Sequence, residues 1–203
     1  MSARPIAAAT ALLCTGALGL WIAGARGGGP TITPADRAIG DLLSGVDYVP
    51  SRAELDAVLG ADAETRLIAI AHGADPDLGS PGQRIRAYRA LALYPTEPTR
   101  RALGQTLASY AGVRSGVATL YLRAAMASLV AAAGQGAIDP IVPLLGHSSQ
   151  DVRAEAARAL GLTRSALAIE PLSRQQLVEA SPQVQLAITE ALRLLQETIA
   201  GTN

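Results

Sequence analysis

The sequence predicts an all-α fold, an α-solenoid of antiparallel helix pairs, on three observations. Helix-start chemistry recurs along the chain, apolar residues follow the helical period with no alternating stretch, and the chain resembles itself at offsets of about thirty residues.

The elements follow in order. Arg4 precedes an uncharged run from Pro5 to Ala25 that closes on Ala23, Gly24 and Ala25, a small-x-small end suited to signal peptidase. Ile6 to Ala25 is also long enough to cross a bilayer, with Trp21 where an interfacial aromatic stands. Residues 1–25 are therefore expected to be a signal peptide or a membrane anchor. Either one exports the rest of the chain, into the periplasm or tethered to the inner membrane by residues 6–25. Leu13 ahead of Cys14 is unlike a lipid-attachment signal, where a small residue stands. Gly27, Gly28, Gly29 and Pro30 break any helix, so 26–33 is a flexible linker and 34–203 the helical repeat domain.

Within that domain Thr33 can cap a helix with Pro34 at its first position, Ser51 and Glu54 spell a capping box, and Ser80, Pro81 and Gln83 combine both signals. Thr96, Ser149 and Ser181 followed by Pro182 continue the series. Ile39, Leu42, Leu43 and Val46, then Leu103, Leu107 and Tyr110, keep the helical spacing. Helices of about 8 to 19 residues with short connections are expected. Residues 34 to 72 are expected to cap one end with irregular helices. The polar residues spread through Ser181 to Ala200 suit a terminal helix with one wet face.

Self-comparison aligns segments starting at Ile85, Leu122, Val152 and Val184, with the first spacing wider than the two that follow. Ala137-Ile138-Asp139-Pro140-Ile141 likewise matches Ala168-Ile169-Glu170-Pro171-Leu172, each ahead of one of those segments, so each unit is a helix pair. The stretch from Ala137 to Leu172, and above all Asp151-Val152-Arg153-Ala154-Glu155-Ala156-Ala157-Arg158-Ala159-Leu160-Gly161, resembles a HEAT repeat of the short bacterial type also found in phycobilisome lyases. The resemblance implies a curved stack of helix pairs that holds another macromolecule on its concave face. It departs from the family in the wide first spacing, which implies an elongated pair, and in Gln185, which replaces the repeat's arginine.

Composition narrows the function. All 17 basic residues are arginine and they balance 17 acidic ones, so no basic field is offered to nucleic acid. The single cysteine, Cys14, leaves the helical part without a thiol nucleophile or disulfide. Asp75, Pro76 and Asp77 lack the further oxygen ligands of a calcium loop, and no metal or cofactor is expected. His72 and His147 stand near helix ends, where the dipole favours an imidazolium. Each is followed by Gly73 or Ser148 rather than by the glutamate that HEAT-like deoxyhypusine hydroxylases need. Gly116 to Ala133 is nearly apolar all round, but Arg123 in its middle suits a repeat helix covered on every side better than a second span.

The candidate partner-binding residues are arginines. Arg86, Arg123 and Arg153 share one repeat register, as a ladder for a carboxylate-bearing partner or as stacking residues bound to carbonyls and a neighbouring carboxylate. Arg84, Arg86, Arg89, Arg100 and Arg101 face Glu97 alone over their stretch, and Arg158 joins Arg153 on the third pair. The expectation is a non-catalytic scaffold of the bacterial envelope that binds a protein. The alternative is an accessory subunit of an envelope enzyme or a weak lyase-like activity.

Overall fold

A side-chain oxygen that takes up the free N–H groups of a first turn fixes where a helix begins. The computed structural model describes residues 33–45, 48 and 50–201, so the signal or anchor segment, most of the linker and Val46 lie outside the described residues. Thr33 opens α1 (Pro34–Leu42) with a reciprocal capping box to Asp36, and Ser51 opens α2 (Arg52–Leu59) with one to Glu54. After a single 3-10 turn comes α3 (Ala63–His72), which ends on Gly73 in the left-handed region (φ 71°). Ser80 then opens α4 (Pro81–Leu91) with a capping box to Gln83. Thr96 caps α5 (Glu97–Tyr110), accepting the N–H of Thr99 at 3.4 Å. The remaining helices are α6 (Gly116–Ala133), α7 (Ile138–Ile141), α8 (Gln150–Leu162), α9 (Ile169–Val178) and α10 (Pro182–Ala200). Among the described residues there is no strand.

Two departures from the sequence reading have local causes. Ser149 and Ser181 do stand at the N-caps of α8 and α10, yet neither hydroxyl caps its helix. Their backbone N–H groups are instead taken by side chains two positions earlier, His147 Nδ1 at 3.0 Å and Glu179 Oε1 at 2.9 Å. The first helix of the third pair is also shorter than the helical spacing led us to expect. α7 is a single turn, and the chain continues as 3-10 turns from Val142 to Gly146. Pro143 has no N–H to bond back along the helix, whereas α9, matched in sequence at its start, carries no second proline and runs from Ile169 to Val178.

The four self-similar segments fall on α4, α6, α8 and α10, and each of these helices packs on the next. The helix before each one lies against it, α3 on α4, α5 on α6, the 3-10 turns after α7 on α8, and α9 on α10. One apolar core runs through all of them, from Ile39 to Leu195. The second pair is the long one, as the wide first spacing implied, with 14 residues in α5 and 18 in α6. α8 and α10 carry many small buried residues, and they approach most closely at one of them. Ala154, Ala156, Ala157 and Ala159 are buried, as are Ala187 and Ala191, and a β-carbon on Gly161 would stand 2.8 Å from Ala191 Cα.

α6 is not covered on every side. Gly116, Leu120, Arg123, Ala127 and Ala131 form one exposed stripe at helical spacing, Val117 is exposed in the first turn, and α4, α5 and α8 pack against the helix. The continuous helical stretch Gly116–Gly146 is long and apolar enough to cross a membrane, and half of its most apolar window is buried in the bundle. On α10, Gln183, Gln185, Thr189, Glu190, Arg193, Gln196 and Glu197 are all exposed, the wet face expected of a terminal helix, with Leu186 and Ile199 the large apolar exceptions.

Candidate functional site

The candidate arginines divide among several environments, and chain order alone does not sort them. Arg153 is enclosed, its side chain 18% exposed. Its fork donates to both oxygens of Glu179 at 2.8 and 2.9 Å, and its remaining nitrogen donates to the carbonyl of His147 at 2.9 Å. Gln175 and the Ser181 N–H donate to the same carboxylate. That guanidinium, aided by Ser181 and Gln175, holds the carboxyl of Glu179 down at about 2. Arg153 is committed to joining α8 to the start of α10. Gln185 holds the same register in α10 and donates to the Glu179 carbonyl at 2.6 Å, so the residue that departs from the repeat keeps its carbonyl bond and gives up only the fork.

Arg84 is half-buried and also occupied. It donates to the Ala71 carbonyl at 2.9 Å and to the Tyr110 hydroxyl at 3.0 Å, with its guanidinium 4.4 Å above the ring of Tyr121. Arg86 is half-buried against Gly82 and makes no hydrogen bond or ion pair among the described residues. Arg100 and Arg101 both pair with Glu97 on the exposed side of α5, at 3.5 and 3.2 Å. The arginine-rich stretch from Arg84 to Arg101 therefore forms no single patch.

Residues far apart in sequence do converge. Arg89 of α4, Leu120 and Arg123 of α6 and Glu155 of α8 line one groove of about 240 Å³. Glu155 lies 3.6 Å from Arg123 and 3.5 Å from Arg158, which stands at the edge of the groove, and Arg89 has no ion-pair partner among the described residues. Arg123 and Arg158 thus share one carboxylate, and Arg89 brings a third cation to the same groove. All three are exposed, and exposed charges of this kind steer and orient a partner more than they stabilise the fold.

A second hollow was not anticipated from the sequence. His72, Arg84, Tyr88, Gln105, Thr106 and Tyr110 line a space of about 350 Å³ between α3, α4 and α5. His72 Nε2 lies 3.2 Å from both the Ala102 carbonyl and Thr106 Oγ1, Thr106 donates to the Ala102 carbonyl at 3.0 Å, and Tyr88, Tyr110 and Tyr121 meet at ring distances of 5.5 to 5.8 Å. The available signal was the recurrence of tyrosine on consecutive helices at Tyr88, Tyr110 and Tyr121. No carboxylate lines this hollow, so it offers hydrogen-bond donors and ring faces rather than an acid–base pair.

The remaining candidates are spoken for. Asp75 accepts from Asp77 and Leu78 N–H in its own turn and pairs with Arg66, and among the described residues no group of three metal-ligating side chains assembles. His147 also departs from expectation. Burial, with the guanidiniums of Arg153 and Arg114 nearby, pushes its imidazole below the ordinary value, opposite to the charged form expected at a helix end. No family model, curated protein or solved structure matches the chain.

Proposed function

We propose that the protein is a binding module of the bacterial envelope, a HEAT-like solenoid that holds an acidic partner along its α4–α6–α8 row. The observation that carries this reading is the convergence of Arg89 and Arg123 on one groove, with Arg158 at its edge and Glu155 as the only carboxylate that lines it. The solenoid reading rests on the neighbour-to-neighbour packing of α4, α6, α8 and α10 and on the repeat register they share. In a stack of that kind the row helices form a continuous surface on which charges from different units align. Export rests on residues 1–25 alone.

The test is a charge reversal. Arg89→Glu with Arg158→Glu should weaken retention of an envelope partner steeply at low salt and leave the melting temperature almost unchanged. Equal retention by the folded double variant would falsify the groove as the binding face. Export is checked separately by fusing residues 1–30 to a reporter active only outside the cytoplasm. A cleaved signal further requires a mature chain beginning at Arg26.

A further inference from the structure

Two neighbouring helix junctions follow one plan, and one of them is incomplete. At the junction of α8 and α10, Glu179 accepts the N–H of Ser181, two positions on, and Gln185, six positions on, donates to its carbonyl. At the junction of α6 and α8, His147 stands one repeat earlier, by the same spacing that separates Val152 from Val184. Its Nδ1 accepts the N–H of Ser149, two positions on, and Arg153, six positions on, donates to its carbonyl. His147 therefore occupies the place that Glu179 occupies one unit later. The later junction is sealed by the Glu179 carboxylate, which receives the Arg153 fork. The earlier one has an imidazole there and no carboxylate.

His147 lines a hollow of about 410 Å³ at the N-termini of α6 and α8, with Arg114, Ser115, Gly116 and Ser149 also in its wall. No acidic residue lines it. His147 is 6% exposed, and its Nε2 is the one buried side-chain polar atom among the described residues without a hydrogen-bond partner. Because Nδ1 accepts from Ser149, the proton of the neutral ring sits on Nε2, leaving a buried donor with no acceptor. Arg114 is exposed and forms neither an ion pair nor a hydrogen bond among the described residues. The first intrahelical bond of α6 is Thr119 N–H to Ser115, so the N–H groups of Gly116, Val117 and Ala118 are free, and neither Ser115 nor Ser149 caps with its hydroxyl. Helices of 18 and 13 residues add the positive ends of their dipoles.

We propose that the hollow between the N-termini of α6 and α8 is an oxyanion site of the carboxylate class, where a ligand carboxylate supplies from outside what Glu179 supplies from within at the next junction. The site is separate from the arginine groove, since Arg114 and His147 do not line the groove and Arg89 and Arg123 do not line the hollow.

The experiment is an acetate titration of the full chain at constant ionic strength, followed through backbone amide shifts, with chloride as the control. Acetate should give saturable shifts centred on Gly116, Val117, Ser149 and Gln150. Arg114→Gln, at an exposed position that leaves folding intact, should weaken binding by about tenfold or more, the loss of one charge-assisted contact. His147→Asn should weaken it too, because its side-chain oxygen can keep the Ser149 bond while the ring N–H is gone. N-acetylglycine and amide-capped N-acetylglutamate then distinguish a chain end from an acidic side chain as the source, by which binds more tightly. Shifts that are absent, that chloride reproduces, or that Arg114→Gln leaves unchanged overturn the proposal.

Discussion

The α8–α10 junction and the α3–α5 region solve the same packing problem with different residues. Between α8 and α10 the backbones come so close at Gly161 that one added β-carbon would collide with Ala191, and Ala154 and Ala157, on the same face of α8 as Gly161, are fully buried. A hollow of about 300 Å³ lies at one end of this joint, lined by Gly161, Leu162 and Arg164 and by Leu194, Glu197 and Thr198 of α10, and at the other end the enclosed guanidinium of Arg153 is sealed by Glu179. Between α3, α4 and α5 the apolar core is flanked by a hollow lined by Tyr88, Tyr110, Arg84 and His72, long side chains with polar tips. Small residues yield a rigid joint; aromatic and cationic ones yield a recess with hydrogen-bonding walls.

The largest expected effect lies at the rigid joint. Arg153→Ala leaves the Glu179 carboxylate enclosed without its partner and should destabilise the protein by about 3 kcal/mol in chemical denaturation. Arg153→Lys should recover only part of this, since an ammonium cannot fork across both oxygens. The same pair sets a pH dependence. The folded-state pKa of Glu179 is depressed to about 2 from an ordinary 4.5, so its contribution is fully present above 4.5 and is lost as the pH falls towards 2. Melting temperature should drop through that window in the native protein, and more shallowly in Glu179→Gln. A window as steep in Glu179→Gln as in the native chain would assign acid sensitivity elsewhere, Asp36 and Glu54 being the other carboxyls held near 2.

Next come the small buried residues of α8, Gly161 against α10 and Ala156 and Ala159 elsewhere in the core. Gly161→Ala, Ala156→Leu and Ala159→Leu each force atoms into filled space and should cost about 1 to 3 kcal/mol. If Gly161→Ala proved neutral, α10 would have to be able to slide on α8, and the contrast with the α3–α5 region would lose its basis.

These positions also show what the sequence could and could not disclose. The caps at Thr33, Ser51, Ser80 and Thr96 were legible because an N-cap is a local device that needs only its own first turn. The caps at Ser149 and Ser181 were placed correctly, but their partners were not, because His147 and Glu179 lie upstream and are fixed by tertiary contacts with Arg153. The repeat offsets located the row helices, since each unit repeats the same burial pattern. Arginine fates were not legible, because Arg123 and Arg153 share a register yet one lies on a groove and the other is enclosed. The difference is whether the next unit supplies a carboxylate at the right place, as Glu179 does. The tyrosine-lined hollow was missed for a related reason. Its walls come from three helices, and none of the three segments carries a recognisable spacing by itself.

A smaller effect is expected in the α3–α5 region. Tyr110→Phe removes the hydroxyl that accepts from Arg84, but the guanidinium keeps the Ala71 carbonyl and the ring of Tyr121, so the loss should be about 1 kcal/mol or less. A loss as large as that of Arg153→Ala would mean that the polar hollow is as rigid as the alanine joint.

The smallest effect belongs to the exposed face of α10, which lies outside both regions and sets the baseline for them. Glu197 pairs only with Arg193, and Arg193 also pairs with Glu190, all three carried on the same helix and about half or more exposed as side chains. Removing one carboxylate leaves Arg193 its second partner and leaves nothing buried without a charge. Glu197→Gln should therefore shift stability by no more than about 0.5 kcal/mol, within the usual range for surface changes. Thermal denaturation of this variant beside Ala156→Leu separates the two kinds of position directly. Comparable losses at both would mean that α10 is more enclosed than its exposed residues indicate, as a partner or second copy covering that face would make it.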